Sequence, residues 1–212
     1  KKEKTNVQTK IRAENNAGAE LDIKATEAGI LYSAPITALW TARGYGKMAM
    51  NTAAIAALVV RPSTLSQISL YNGEAGSGKH LWIERVFAHN LVGVAGSSYS
   101  IWLCVHPVNM TAPTGNNITV RNSPSGQAAG GSNSVVDTAE SVTDNGWFPW
   151  GASGHAVTVT VPGGVIEAYI GGRIIIPPTA GLSIQVVADT TGATFTVGAH
   201  WFEVPESELD VA

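Results

Sequence analysis

Beyond Gly29 the chain is a succession of short apolar or alternating runs, each closed by Gly, Pro, Asn or Ser, and this punctuation constrains the fold more than any other feature. The runs cover residues 30–40, 53–60, 65–71, 80–92, 99–106, 117–121, 134–142, 155–161, 165–170, 173–176, 182–188 and 194–204. Alternation with a period of two places apolar side chains on one face of a strand. Many such runs with turn residues between them make an antiparallel sandwich or barrel. There are enough runs for two four-stranded sheets with strands to spare. Helical signals are sparse. Residues 51–58 begin like a capped short helix, but they run into Val59, Val60 and Arg61-Pro62, where extended backbone is favoured, and they read as strand.

Residues 1–27 have a different texture, with Lys1, Lys2, Glu3, Lys4, Lys10, Arg12 and further charges set among Asn, Gln, Thr and Ala. Such a segment buries too little apolar surface to fold alone, yet it can order across a neighbour. The predicted organisation is an N-terminal arm over residues 1–28 and a single β domain over 29–212, with Lys4, Lys10 and Arg12 as contacts of an assembly arm. A solvated tail or weak helix is the alternative for the arm.

Only 14% of the 212 residues are charged, against a usual fraction of about 25%, so much of the surface must carry uncharged side chains. That composition suits a subunit whose faces meet neighbours. A net charge of -3 gives no broad cationic field for phosphates, so direct nucleic-acid binding is not expected. No run approaches the roughly 20 apolar residues that span a bilayer, and the charged first residues lack a signal-peptide core, so the expectation is synthesis in the cytoplasm without export and no membrane partner. The single cysteine, Cys104, excludes an intrachain disulfide, and its apolar surroundings in Ile101-Trp102-Leu103-Cys104-Val105 predict a buried, inert thiol.

Motifs for chemistry are incomplete. Gly73-Glu74-Ala75-Gly76-Ser77-Gly78-Lys79 satisfies G-x-x-x-x-G-K, but His80 stands where a phosphate-binding loop needs a magnesium-holding hydroxyl, and strand formers follow where it needs a helix. A glycine-rich connection between two strands is the reading. His80, His89, His106, His155 and His200 show no local ligand spacing, so no metal and no cofactor are expected. There is no G-x-S-x-G elbow, and Glu84, Asp137, Glu140, Asp144 and Glu167 are not paired by spacing, so no catalytic residue is assigned and no enzyme is expected.

Six tryptophans need places. Trp82, Trp102 and Trp201 lie in strand-like runs. Trp147, Phe148 and Trp150, bounded by Gly146 and Gly151, read as an aromatic loop that packs on the end of the sandwich, inserts into a neighbouring subunit, or stacks on a ligand.

The C-terminal third carries a resemblance. Gly171-Gly172-Arg173-Ile174-Ile175-Ile176-Pro177-Pro178-Thr179 leads through Leu182-Ser183-Ile184-Gln185-Val186-Val187 to Thr194-Phe195-Thr196-Val197-Gly198-Ala199-His200-Trp201-Phe202-Glu203-Val204. A strand, a Pro-Pro turn, a strand and a last strand with an aromatic pair resemble the closing hairpins of jelly-roll virion structural proteins of tailed bacteriophages. Glu84-Arg85-Val86-Phe87-Ala88-His89-Asn90 and Ile101-Trp102-Leu103-Cys104-Val105-His106-Pro107 add to the likeness, which extends over residues 65–205. Trimeric tumour-necrosis-factor-like and C1q-like domains share this texture. The resemblance implies an all-β antiparallel sandwich of jelly-roll type with an extended N-terminal arm. It also implies a non-catalytic capsid shell or decoration subunit that is located in the virion and self-assembles as a homo-oligomer, for example a trimer, with other virion proteins as partners. The alternative is a carbohydrate- or receptor-binding module of a phage tail or fibre, with Trp147, Phe148 and Trp150 on a glycan.

Overall fold

A computed structural model describes residues 12–14, 20–22, 35–115, 118–124, 131–138, 144, 146–155 and 164–209. The chain divides into two compact units, Lys1–Leu39 and Trp40–Ala212. In the first, β1 (Arg12–Glu14) and β2 (Glu20–Asp22) pair antiparallel, with Arg12 opposite Asp22. The strand expected over 30–40 is corrected at its described end by helix α1 (Ile36–Ala42). Ile36, Leu39 and Trp40 have the spacing of a helix face, and Pro35, whose carbonyl accepts from the Ala38 and Leu39 N–H groups, supplies a backbone suited to a helix start.

The second unit is built from strands β3 (Gly46–Met50), β4 (Ile55–Ala56), β5 (Ile68–Tyr71), β6 (Lys79–Val92), β7 (Ser98–His106), β8 (Arg121–Asn122) and β9 (Val135–Thr138). It continues with β10 (Phe148–His155), β11 (Val165–Tyr169), β12 (Ile175–Ile176), β13 (Gly181–Ala188), β14 (Thr194–Pro205) and a last helical turn, α2 (Glu206–Leu209). They form two antiparallel sheets. The first has the order β10-β7-β13-β5-β9, and the second β11-β6-β14-β3-β8, with β12 also on β6 and β4 also on β14. The connection between β7 and β10 lends β8 to one sheet and β9 to the other. Only Ile55–Ala56 of the strand expected over 53–60 is regular, and Leu58 makes an isolated parallel bridge to Val187.

The inner faces meet in one core. Ile68, Leu70, Ile101, Leu103, Leu182, Ile184 and Val186 of the first sheet join Leu81, Ile83, Val86, Ala88, Val197, Ala199 and Trp201 of the second. The Tyr99 and Phe195 rings meet across the sheets at 4.7 Å. Each large aliphatic side chain buried here contributes about 1.5–3 kcal/mol. β6 changes phase partway: Leu81 and Ile83 face inward, then Val86 and Ala88. The ladder to β14 steps from Ile83 opposite Trp201 to Arg85 opposite His200, leaving Glu84 as the extra residue of a β-bulge. Without that bulge Arg85 would be aimed at the core.

One end of the second sheet's outer face is covered by Trp40, Phe202 and Val204 packed with Tyr45, Trp82 and Leu209. Trp40 meets Trp82 edge-on at 5.3 Å. Gly172, at a φ of 76°, passes so near Trp82 that a Cβ there would stand 2.0 Å from the indole.

Candidate functional site

Outward-facing residues of a two-layer sandwich are usually wet, yet on the first sheet Gln67, Ser69, Cys104, His106, Ser183 and Gln185 are all buried. Two stretches of chain cover them. Leu58 donates to the Val186 carbonyl and accepts from Ala188, and Gln67 Nε2 donates to the carbonyls of Ile55 and Ala56. The Asp144 N–H donates to Ser63 O at 3.2 Å, and Arg61 donates to the Trp147 carbonyl at 2.9 Å.

Beneath this cover lies a connected polar chain. Asp144 Oδ2 is 3.0 Å from His106 Nδ1, His106 Nε2 is 2.8 Å from Ser183 Oγ, and Ser183 Oγ is 2.9 Å from Ser69 Oγ. Cys104 Sγ stands 3.8 Å from the same Nδ1. The other oxygen of Asp144 accepts from the Gly146 N–H at 2.7 Å. That backbone bond, helped by His106 against the effect of burial, holds the Asp144 carboxyl below the usual range. Burial, reinforced by the Asp144 charge, pushes the Cys104 thiol up to about 12. The expected buried thiol is therefore found, and at neutral pH it is protonated.

The distances from Ser183 through His106 to Asp144 are those of an acyl-transfer triad, but access is not. Ser183 is fully buried and Ser69 occupies the far side of its hydroxyl, so a substrate carbonyl has no approach in this conformation. What the arrangement does is satisfy buried polar groups and tie the covering chain to the sheet. Cys104, His106 and Asp144 also offer three ligand atoms within 4.8 Å of one another. The sequence carried half of this signal: Cys104 and His106, two apart on a strand, share a face. Asp144 and Ser183, 38 and 77 residues from His106, had no local signature.

Beyond the end packed around Trp40, the outer face of the second sheet is uncovered by any of the described residues. Tyr169, Arg85, His200, Met48 and Arg121 stand in one row across five strands, and Glu167, Phe87, Gly198 and Met50 in the next. Val165 adds a further apolar residue beside His89. Met48 and Met50 are exposed, as are Val165 (58%) and Tyr169 (62%). Gly198 has no side chain, and the Phe87 ring packs over it at the edge of a recess. The Met residues, Phe87, Arg85, His200 and Arg121 help line a cavity of about 420 Å³. Arg85 pairs with Glu167 at 2.6 Å, and burial with the nearby Arg85 charge holds the His200 pKa below its usual value. Arg85, Glu167 and Arg121 are the charged residues in these two rows.

The sequence-marked aromatics are not one exposed platform. Trp147 is buried (3%), Phe148 opens β10, and Phe148 and Trp150 are half-buried against the core with their rings 5.7 Å apart. The Arg173 guanidinium lies 5.6 Å over Trp150. Arg12 begins β1, whereas Lys4, Lys10 and Glu140 lie outside the described residues. The glycine-rich segment is, as expected, a connection between strands: a 3-10 turn over Glu74–Gly76 leads directly into β6. Glu74, within it, is fully buried and accepts from Asn133, while Ser132 and Ser134 donate to buried Glu203. The sequence reading met Glu74 only inside the glycine-rich motif and gave neither glutamate a structural role.

No protein-family model matches this chain, and no curated protein matches its sequence.

Proposed function

We propose that this protein is a non-catalytic building block of a virus particle, a capsid shell or decoration subunit with a jelly-roll sandwich, which self-assembles through a sheet face and its N-terminal segment. The observation that carries the reading is the outer face of the second sheet, where Met48 and Met50 line a cavity with Phe87 and His200, and Val165 and Tyr169 are exposed on β11. Large exposed apolar side chains on one sheet face, set among a few polar ones, are a mark of protein association. The few charges of this face suit burial against a neighbour, because desolvating unpaired charge is costly.

The strand order supports the jelly-roll part. Counting β3, β5, β6, β7, β10, β11, β13 and β14 as one to eight, the sheets contain the orders 1-8-3-6 and 2-7-4-5. Two Greek keys rolled together give this arrangement. Low overall charge and the likeness of the closing hairpins to phage virion proteins support the viral setting. A glycan platform on Trp147, Phe148 and Trp150 has less support, since Trp147 is buried.

The test is mass and shape in solution, by light scattering and electron microscopy, for the full chain, for a chain lacking residues 1–27 and for Met48→Glu/Met50→Glu. Trimers, rings or shells that weaken in both variants are expected. A monomer in all three overturns the reading.

A further inference from the structure

We propose that Cys104, His106 and Asp144 form a binding site for a zinc-class divalent cation. The three side chains converge from two directions: Cys104 and His106 from one face of β7, and Asp144 from the covering stretch beyond the sheet. The converging atoms are a thiol sulfur, an imidazole nitrogen and a carboxylate oxygen, the donor set that suits zinc. Their spacing is close to what a tetrahedral ion needs. Zinc bond lengths imply roughly 3.6 Å between sulfur and nitrogen and roughly 3.4 Å between nitrogen and oxygen. The corresponding separations are 3.8 Å for Cys104 Sγ to His106 Nδ1 and 3.0 Å for His106 Nδ1 to Asp144 Oδ2. Both separations are within about half an ångström of those values, and the sulfur and the carboxylate oxygen lie within 4.8 Å of each other.

The surroundings support each ligand from behind. With Nδ1 on the metal, the imidazole N–H sits on Nε2 and donates to Ser183 Oγ, 2.8 Å away, and the Ser183 hydroxyl in turn donates a hydrogen bond to Ser69 Oγ. The Asp144 oxygen that faces away from the cluster is held by the Gly146 N–H. Outer contacts of this kind fix ring orientation and tautomer in metal centres. Binding displaces the thiol proton to solvent and leaves the imidazole neutral. A dication with one thiolate and one carboxylate has no net charge, so the Arg61 guanidinium nearby does not oppose it. The Asp144 side chain is 27% exposed, which gives the ion an entry route and room for water as fourth ligand. Bound there, the ion clips the covering chain to β7.

The experiment titrates the metal-stripped full chain with cobalt(II), a spectroscopic probe for zinc. One equivalent is expected to raise a thiolate-to-metal charge-transfer band in the near ultraviolet with the visible bands of four-coordinate cobalt, and zinc is expected to abolish both. Cys104→Ala should lose the charge-transfer band and Asp144→Asn should weaken binding. Ser183→Ala, a change at a positioning residue, should lower affinity about 10- to 100-fold. A folded wild-type chain that gives no charge-transfer band, or a band that persists in Cys104→Ala, overturns the proposal. The wild-type result decides even where a variant fails to fold.

Discussion

His106 Nε2 and Ser183 Oγ lie 2.8 Å apart although 77 residues separate them, and through this contact β7 and β13 share a polar chain that ends on Asp144. The contact is buried, so its removal strands groups that water cannot reach. His106→Ala removes one partner from the Ser183 hydroxyl and one from the Asp144 carboxylate, and a buried unsatisfied group costs about 1–3 kcal/mol. Urea unfolding should show a loss of that size for His106→Ala and a smaller one for Ser183→Ala. The double variant should fall short of their sum by about 0.5–3 kcal/mol. Strict additivity would mean that the two residues do not interact.

Glu203 gives the stability a pH dependence of unusual sign for a carboxylate. Its side chain is buried, and Oε2 has no hydrogen-bond partner among the described residues. Burial raises its pKa, and the Glu74 charge adds to this. Hydrogen bonds from Ser132 and Ser134 and the Lys47 charge offset only part of the rise. A raised value means that the folded chain holds this proton more tightly than the unfolded chain. The contribution is complete below the ordinary carboxylate pKa and is lost as pH rises through the folded value. Glu203→Gln keeps the shape without the charge. Thermal unfolding followed from acid to neutral pH should show the variant gaining on the wild type as pH rises. A variant that loses ground toward neutrality contradicts the assignment.

Glu74 acts in the opposite direction. Burial pushes its pKa up, but hydrogen bonds from Ser77 and Asn133 and the Lys79 charge outweigh that and hold it below the usual range. Its contribution is present above the unfolded pKa and disappears as pH falls through the folded one. In Glu74→Gln the acid-side decline should therefore become shallower, with lower stability at neutral pH, as measured in the same thermal series. An unchanged acid limb would rule Glu74 out as its source.

The long strands were legible because alternation and burial agree. β7, β13 and β14 occupy the runs expected for them, and β6 fills its own and begins one residue earlier, despite the bulge at Glu84. α1 was misread because Ile36 and Trp40 are strand formers by propensity, while the i, i+3, i+4 spacing through Leu39 and the position of Pro35 favour the helix. Residues 53–60 kept only two in a strand, since the rest of that run lies over the sheet and bonds to Val186 and Ala188 through Leu58. The polar site was less legible still. A strand's period reveals that Cys104 and His106 share a face, but only tertiary folding brings Asp144 and Ser183 to them.

Gly198 should tolerate no side chain. A Cβ there would stand 2.3 Å from Phe87 Cζ and 2.8 Å from the Ala49 carbonyl oxygen, and the backbone contact cannot swing aside as a ring can. Overpacking of this kind costs about 1–3 kcal/mol. Gly198→Ala should lower the urea midpoint accordingly and displace Phe87 into the recess. If Gly198→Ala is as stable as the wild type, the close approach of Phe87 to this strand is wrong.

Trp147 and Trp150 separate packing from recognition. Both belong to the aromatic segment that the sequence marks as a ligand or interface loop, but Trp147 is buried and Trp150 is half-buried beside Arg173. Truncating a buried tryptophan costs about 3–5 kcal/mol, because apolar contact is lost and a cavity remains. Trp147→Ala should show that loss in urea unfolding, and Trp150→Ala a smaller one. Trp147→Phe should fall between Trp147→Ala and the wild type: it keeps most of the ring and removes an indole N–H that has no partner among the described residues. Should Trp147→Ala instead keep full stability while assembly or glycan binding disappears, Trp147 is an exposed contact residue and the buried position described for it is wrong.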